Sequence, residues 1–303
     1  MQTKHLLIIC GPTAVGKTTL SVQLAKHFNT EVISADSRQL YKEMSIGTAK
    51  PTLEEMQGIQ HHFIDCLTIH QNYTAGDYEQ DVIKKLGGLF TNHNLVIMCG
   101  GTGLYMDAVC KGFDEGLESS PEIKQEITEQ YNVNGLFWLQ QQVKKYDIDF
   151  YTQADINNPQ RLMRALEVCL TTHKPYSSFR KKIAVKRDFN VIKIFINEGR
   201  ETLYAKINQR VDNMMATGFL KEAKNLHPFK HLNALNTVGY KELFDYIEKK
   251  ISLNKSVELI KQHTRNYAKR QITWFKNNED CTQFVSTDIE KIKAFVEIVV
   301  QNG

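Results

Sequence analysis

Residues 11–18 read Gly11-Pro12-Thr13-Ala14-Val15-Gly16-Lys17-Thr18, a G-x-x-x-x-G-K-[ST] spacing whose glycines let backbone N–H groups converge on an anion. Lys17 adds a positive charge. Thr18 adds a hydroxyl for a phosphate-bound Mg²⁺, at a helix start where the backbone dipole favours negative charge. The chemistry is the holding of a phosphate chain, which names a ligand type and not a reaction. Further on, Ser34-Ala35-Asp36-Ser37-Arg38-Gln39-Leu40-Tyr41 places an acid just after a second apolar run. The Asp36 carboxylate can accept a proton, hold Mg²⁺ or cap the following helix, and local sequence leaves all three roles open. Gly100-Gly101-Thr102-Gly103-Leu104-Tyr105 closes another apolar run; its small residues suit a close approach of backbone to ligand, or a plain turn. The pair His61-His62 invites a metal reading. Adjacent strand residues face opposite ways, however, and no cysteine or carboxylate stands nearby at ligand spacing.

These residues need elements to position them. Leu6-Leu7-Ile8-Ile9-Cys10 reads as a buried parallel strand, and Leu20, Leu24 and Phe28 keep helical spacing after the loop. Strands over 5–10, 31–35 and 95–99 alternate with helices over 17–28 and 74–91, the second opened by Thr74 and Asp77 at capping-box spacing. Such alternation predicts a parallel sheet with ligands at the carboxyl ends of its strands. From 114 to 190 the pattern becomes helical and polar, with Asn158 and Pro159 as cap and first-turn proline of a helix running to Thr172. A strand over Val191–Ile196 and helices over 201–217, 220–226, 240–249 and 255–277 follow. The expected fold class is α/β: a P-loop NTPase-like parallel sheet core flanked by helices, formed by residues 1–113 and 191–303, with a mostly helical insert over 114–190.

With 303 residues, 42% of them hydrophobic, the chain can bury a substantial core. No apolar run approaches the roughly eighteen residues of a membrane span, and the stretch at Leu6–Cys10 is too short for a signal peptide. A soluble, intracellular protein without a membrane partner is expected. Cys10, Cys66, Cys99, Cys110, Cys169 and Cys281 form no C-x-x-C pair, which argues against a disulfide framework or zinc knuckle and for reduced core residues. Net charge is only +4, but the cations are uneven. Lys174, Arg180, Lys181, Lys182, Lys186, Arg187 and Lys193 face one acid, Asp188; Lys255, Lys261, Arg265, Lys269, Arg270 and Lys276 face one, Glu258. Each run is a solvated face or, beside a phosphate loop, the footprint of a polyanion.

Taken in order, Gly11–Thr18, Asp36–Tyr41 with Ile46–Pro51, Gly100–Tyr105, Pro159–Val168, Gly239–Glu242 and Thr264–Phe275 resemble the bacterial tRNA dimethylallyltransferases, also called tRNA isopentenyltransferases. The resemblance covers nearly the whole chain. It implies transfer of a dimethylallyl group from dimethylallyl diphosphate to N6 of the adenosine 3′-adjacent to the anticodon, in tRNAs reading codons that begin with U. The product is N6-isopentenyladenosine, and diphosphate leaves with Mg²⁺. On this resemblance Asp36 is the catalytic base, Gly11–Thr18 bind the diphosphate, Thr18 carries the Mg²⁺ cofactor and Arg210 faces the diphosphate. Asp36, Ser37, Arg38, Gln39 and Thr102, with Gln160, Arg161, Leu162, Met163 and Arg164 of the insert, are expected to meet the anticodon stem-loop. A cytoplasmic monomer is implied, and the zinc-finger extension of nuclear and mitochondrial members is lacking. Tyr267, Trp274 and Phe275 could stack bases, yet their near-helical spacing points to packing of the terminal helix. Other readings of the loop are a small-molecule kinase, a prenyltransferase of free adenine nucleotides and a non-catalytic RNA-binding protein; the last leaves Lys17, Thr18 and Asp36 unexplained, and the helical insert speaks against the free-nucleotide enzyme.

Overall fold

A computed structural model describes residues 3–112, 120–179, 185–277 and 280–302. In chain order its elements are β1 (His5–Cys10), α1 (Lys17–His27), β2 (Val32–Ala35), α2 (Leu53–Met56), β3 (His61–His62), α3 (Ala75–Leu89), β4 (Leu95–Gly100) and α4 (Gly103–Lys111), then α5 (Pro121–Tyr146), α6 (Ile148–Gln153) and α7 (Pro159–Thr172). There follow β5 (Asn190–Ile196), α8 (Arg200–Ala216), α9 (Phe219–Leu226), α10 (Tyr240–Ile247), α11 (Leu253–Lys276), β6 (Cys281–Phe284) and α12 (Ile289–Asn302).

An apolar run without alternation must be covered on both faces, and β1 is buried along its whole length. Its period of two decides which core each residue joins. Leu6, Ile8 and Cys10 pack with Val82 and Leu86 of α3 and Val109 of α4. Leu7 and Ile9 turn the other way, onto Leu20 and Leu24 of α1, Leu203 and Ile207 of α8 and Ile292 of α12. Full burial of one such aliphatic side chain contributes about 1.5–3 kcal/mol, so the two layers hold the sheet between them. The strand order is β3-β2-β4-β1-β5-β6, and every pairing is parallel. After β1 the chain moves to one side for β2 and β4, then crosses to the other for β5. Such a reversal opens a crevice at the carboxyl end of β1.

The strands and helices expected from periodicity form within one or two residues of their predicted ends. Thr74 and Asp77 make the capping box of α3, and Asn158 Oδ1 accepts from the Arg161 backbone N–H at 3.2 Å to start α7. Five elements escaped the sequence reading. α2 and β3 are only a few residues long, α4 begins inside the glycine turn that hides it, β6 is a short edge strand of polar composition, and α12 follows beyond it.

The described chain divides into two compact units, Met1–Cys110 with Lys186–Gly303, and Lys111–Val185. The second is shorter at its carboxyl end than the expected insert over 114–190. Arg187 is tied into the sheet unit, donating to the Val109 carbonyl at 2.9 Å and to Glu79, and Asn190 already begins β5. Taken by itself, the second unit has its own core of Ile127, Leu139, Val143, Phe150, Leu162 and Leu166. Helix α5 breaks at Gly135, where φ is +71°. The expectation that the cysteines are core residues holds only in part: Cys10 and Cys169 are buried, but Cys66 is exposed and Cys99, Cys110 and Cys281 are half-buried. Among the described residues no helix is long and apolar enough to cross a membrane.

Candidate active site

The loop leaving β1 is shaped by backbone that only small residues permit. Gly11 adopts φ +151°, and a Cβ there would run into the Ile196 carbonyl of β5; Gly16, at φ +95°, opens α1. Pro12, Thr13, Ala14 and Val15 carry the chain round, with Val15 fully buried in the core beside α1. Lys17 Nζ lies back over this loop and donates to the carbonyls of Gly11 at 3.0 Å and Pro12 at 2.7 Å. Burial pulls its pKa down to about 8; Cys99 and Asp36 oppose the fall and the Arg210 charge deepens it. Thr18 follows in the first turn of α1.

Thr13 is gripped from two distant helices. Its hydroxyl accepts from Arg210 Nη1 of α8 at 3.0 Å, and its backbone N–H donates to Gln271 Oε1 of α11 at 2.9 Å. Arg210 is enclosed; burial lowers its pKa, with the Glu55 and Asp36 carboxylates opposing. A guanidinium nonetheless stays charged, and its fork suits phosphate oxygens.

Asp36 does not take the helix-capping role that the sequence allowed, because a turn and not a helix follows β2. Its Oδ1 closes that turn, accepting from the backbone N–H groups of Arg38 at 2.9 Å and Gln39 at 3.3 Å. Both bonds use the same oxygen, so the turn leaves Oδ2 for chemistry. Thr102, from the turn after β4, accepts from the Ser37 N–H at 3.1 Å and donates its own N–H to the Ala35 carbonyl. That contact needs Gly100, whose Cβ would enter the Ala35 backbone.

One cavity of about 370 Å³ joins these groups. Thr13, Asp36, Ser37, Arg38, Arg210, Tyr267 and Arg270 line its polar part, and Val211, Met214, Phe219 and Ile260 an apolar part. The structure therefore brings the loop, Asp36 and Arg210 to one space. Some expected site residues are engaged elsewhere. Arg38 Nη1 donates to the carbonyls of Asn233 and Ala234 at 3.0 Å, and the Gln39 amide donates to Thr48 and Ala49 at 3.2 Å. Gln160, Arg161, Met163 and Arg164 belong to α7 of the second unit, where Arg164 pairs with Glu167 at 3.2 Å. Leu162 points inward, at 0% exposure, and serves the core.

The aromatic expectation divides. Phe275 is core at 2% exposure, whereas Trp274 is 45% exposed and Tyr267 reaches the cavity. His62 does have a carboxylate partner, Glu31 at 2.6 Å, supplied from before β2 at no ligand-like sequence spacing. Several cations of the basic runs are spent internally: Arg187 as above, Lys261 on Asp212 at 2.6 Å and Arg265 on Asn208 at 2.7 Å. Arg180, Lys181 and Lys182 lie outside the described residues. Sequence reasoning missed Gln271, although it sits inside the string Thr264–Phe275. It also missed Glu222, whose carboxylate accepts from the N–H groups of Ser45, Ile46 and Gly47 and from the Tyr240 hydroxyl.

A parallel sheet with an anion cradle ending its central strand, and a carboxylate across one cavity from that cradle, defines a P-loop protein built for group transfer. The chain belongs to the IPP transferase family, whose model matches residues 39–278. It is 49% identical to the tRNA dimethylallyltransferase of Flavobacterium psychrophilum, over 95% of this chain and 96% of that one. It is 45% identical to tRNA dimethylallyltransferase 2 of Parabacteroides distasonis, over 95% and 96%. Among solved structures, the full-length tRNA isopentenylpyrophosphate transferase of Bacillus halodurans superposes with a TM-score of 0.74 at 35% identity, covering 99% of this chain and 97% of that one. A eukaryotic dimethylallyltransferase acting on tRNA gives 0.80 at 28% identity, covering 95% and 75%.

Proposed function

We propose that this chain transfers the dimethylallyl group of dimethylallyl diphosphate to N6 of the adenosine 3′-adjacent to the anticodon, in tRNAs reading codons that begin with U. One observation carries the reading: Asp36 shares a single cavity with Thr13 and Arg210 of the phosphate cradle. An exocyclic adenine amine is a weak nucleophile because its lone pair is delocalised into the ring. A carboxylate positioned to take its proton contributes about 10²–10⁴-fold. In the step, an N6–carbon bond forms, the carbon–oxygen bond to diphosphate breaks and the amine proton passes to Asp36. The charge developing on the leaving group meets the loop N–H groups, Lys17 and Arg210, donors set in place before the reaction. The cradle thus serves a departure rather than a phosphoryl transfer. A base stacked in an anticodon loop must swing out to reach Asp36, and Thr102, Ser37 and the cavity-lining Tyr267 are the groups proposed to receive it.

Oxygen donors such as the Thr18 hydroxyl suit Mg²⁺. The proposed cation is held through Thr18 and the diphosphate oxygens together. Bound there, Mg²⁺ would neutralise part of the leaving group's charge. Gln160, Arg161, Met163 and Arg164 are proposed to meet the anticodon arm, as a cytoplasmic monomer would present them.

The test is incubation with dimethylallyl diphosphate, Mg²⁺ and unmodified tRNA bearing adenosines beside the anticodon, followed by nucleoside mass analysis. One isopentenyl group on that adenosine is expected. Prenylation of free adenine nucleotides, or nucleoside-triphosphate turnover without RNA, sinks the reading.

A further inference from the structure

Gln271 is a buried polar side chain of α11, only 5% exposed, and neither amide atom is idle. Oε1 accepts the Thr13 N–H at 2.9 Å and Nε2 donates to the Gly101 carbonyl at 2.9 Å. A Cβ on residue 101 would collide with that same amide nitrogen, so the glycine turn is cut to the shape of the glutamine. Thr13 belongs to the phosphate cradle and is held on its other side by Arg210. Residue 101 leads into Thr102, which holds Ser37 beside Asp36. One amide therefore ties the phosphate cradle to the turn after β4, and that turn, through Thr102, holds the Asp36 loop.

We infer that Gln271 is a positioning residue that sets the separation between the diphosphate cradle and the turn after β4, whose Thr102 holds the Asp36 loop, and through it the alignment of the two substrates. The inference rests on the proposed prenyl transfer. A buried donor–acceptor pair of this kind must be met by a group offering both functions at once. Gln271 does so in one orientation only, because Thr13 presents a donor and Gly101 an acceptor. A misplacement of about 1 Å in a two-substrate reaction costs on the order of 10²-fold in rate. It falls on kcat when ground-state binding of each substrate is preserved.

Three substitutions test this. Gln271→Leu keeps approximate shape and loses both bonds, and Gln271→Asn is shorter by one methylene, about 1.5 Å, and cannot reach both partners. Both should lower kcat on the order of 10- to 10²-fold, with KM for dimethylallyl diphosphate and for tRNA within about threefold of the unsubstituted protein. Gln271→Glu is nearly isosteric but, ionised, faces the Gly101 carbonyl with no proton to donate. Burial raises a carboxyl pKa, so acid restores the donor. Its kcat relative to the unsubstituted protein at the same pH should climb as pH falls from about 8 to about 5.5; taking the ratio cancels whatever pH dependence the two proteins share. Folded fraction is followed by circular dichroism. Unchanged kcat in all three overturns the inference. So does a loss that follows the folded fraction with no acid recovery in Gln271→Glu, which marks a merely structural amide. An unsubstituted protein that prenylates no tRNA strikes the proposed function instead.

Discussion

Asp36 divides two roles between two oxygens, and that division makes its chemistry testable apart from its structural role. Asparagine keeps an acceptor at the Oδ1 position, so the bonds from the Arg38 and Gln39 N–H groups survive Asp36→Asn while the base is lost. Turnover should fall about 10²–10⁴-fold with melting temperature and tRNA affinity retained; single-turnover rates near normal would refute the assignment. Lys17 offers a second test at this scale. Burial holds its pKa near 8, so at that pH about half of the free protein carries a neutral Lys17. An anion in the cradle favours the charged form and should draw in a proton. Calorimetry of inorganic diphosphate binding in buffers of differing ionisation enthalpy measures this uptake. Lys17→Arg, permanently charged, subtracts the ligand's own titration. The protein should take up as much as about half a proton more than the variant near pH 8, and no more than it below about pH 6.5. Equal uptake at pH 8 refutes a depressed Lys17.

Among the elements, the turn at 45–47 shows how one half-buried acid organises a cavity wall. Glu222 of α9 collects three successive backbone N–H groups, at 3.1, 2.8 and 2.9 Å, and the Tyr240 hydroxyl at 2.6 Å. It thereby draws the turn onto α9 and α10. The fit leaves no room at Gly47, where a Cβ would strike the rings of Phe219 and Tyr240, both nearly fully buried. Gly47→Ala should therefore destabilise by about 1–3 kcal/mol through overpacking. Gly87 in α3 has nothing within 4 Å of its absent Cβ, and there alanine should stabilise by about 0.5–1 kcal/mol because glycine loses more freedom on entering a helix. Urea denaturation separates the two by sign. A neutral Gly47→Ala would show that the aromatic wall yields.

For the whole molecule, charge placement outweighs net charge. The basic runs suggested a broad phosphate footprint, yet Arg187, Lys261 and Arg265 are committed to partners within the fold. Arg270 borders the cavity, and the proposed function makes it the candidate contact to a tRNA phosphate. Affinity for tRNA should fall as salt rises, and Arg270→Ala should flatten the plot of log affinity against log salt by about 0.7–0.9 for each phosphate left without its cation. Lys261→Ala should leave that slope unchanged. If the two variants respond alike, the cations act as general surface charge.

The sequence alone determined what depends on near neighbours. The cradle, the caps at Thr74 and Asn158, the doubly buried strands and the two-layer sheet follow from spacing, turn chemistry and periods of 2 and 3.6, all written within a few residues. Tertiary structure alone decided which distant groups meet. Gln271 reaches Thr13 across 258 positions and Arg210 reaches it across 197, and Glu222 grasps a turn about 175 residues earlier. Contacts at such range leave no period in the chain. They exist because helices returning from the carboxyl-terminal half cover the crevice where the parallel strands end, and hydrogen-bonding groups buried there must find partners wherever the fold supplies them.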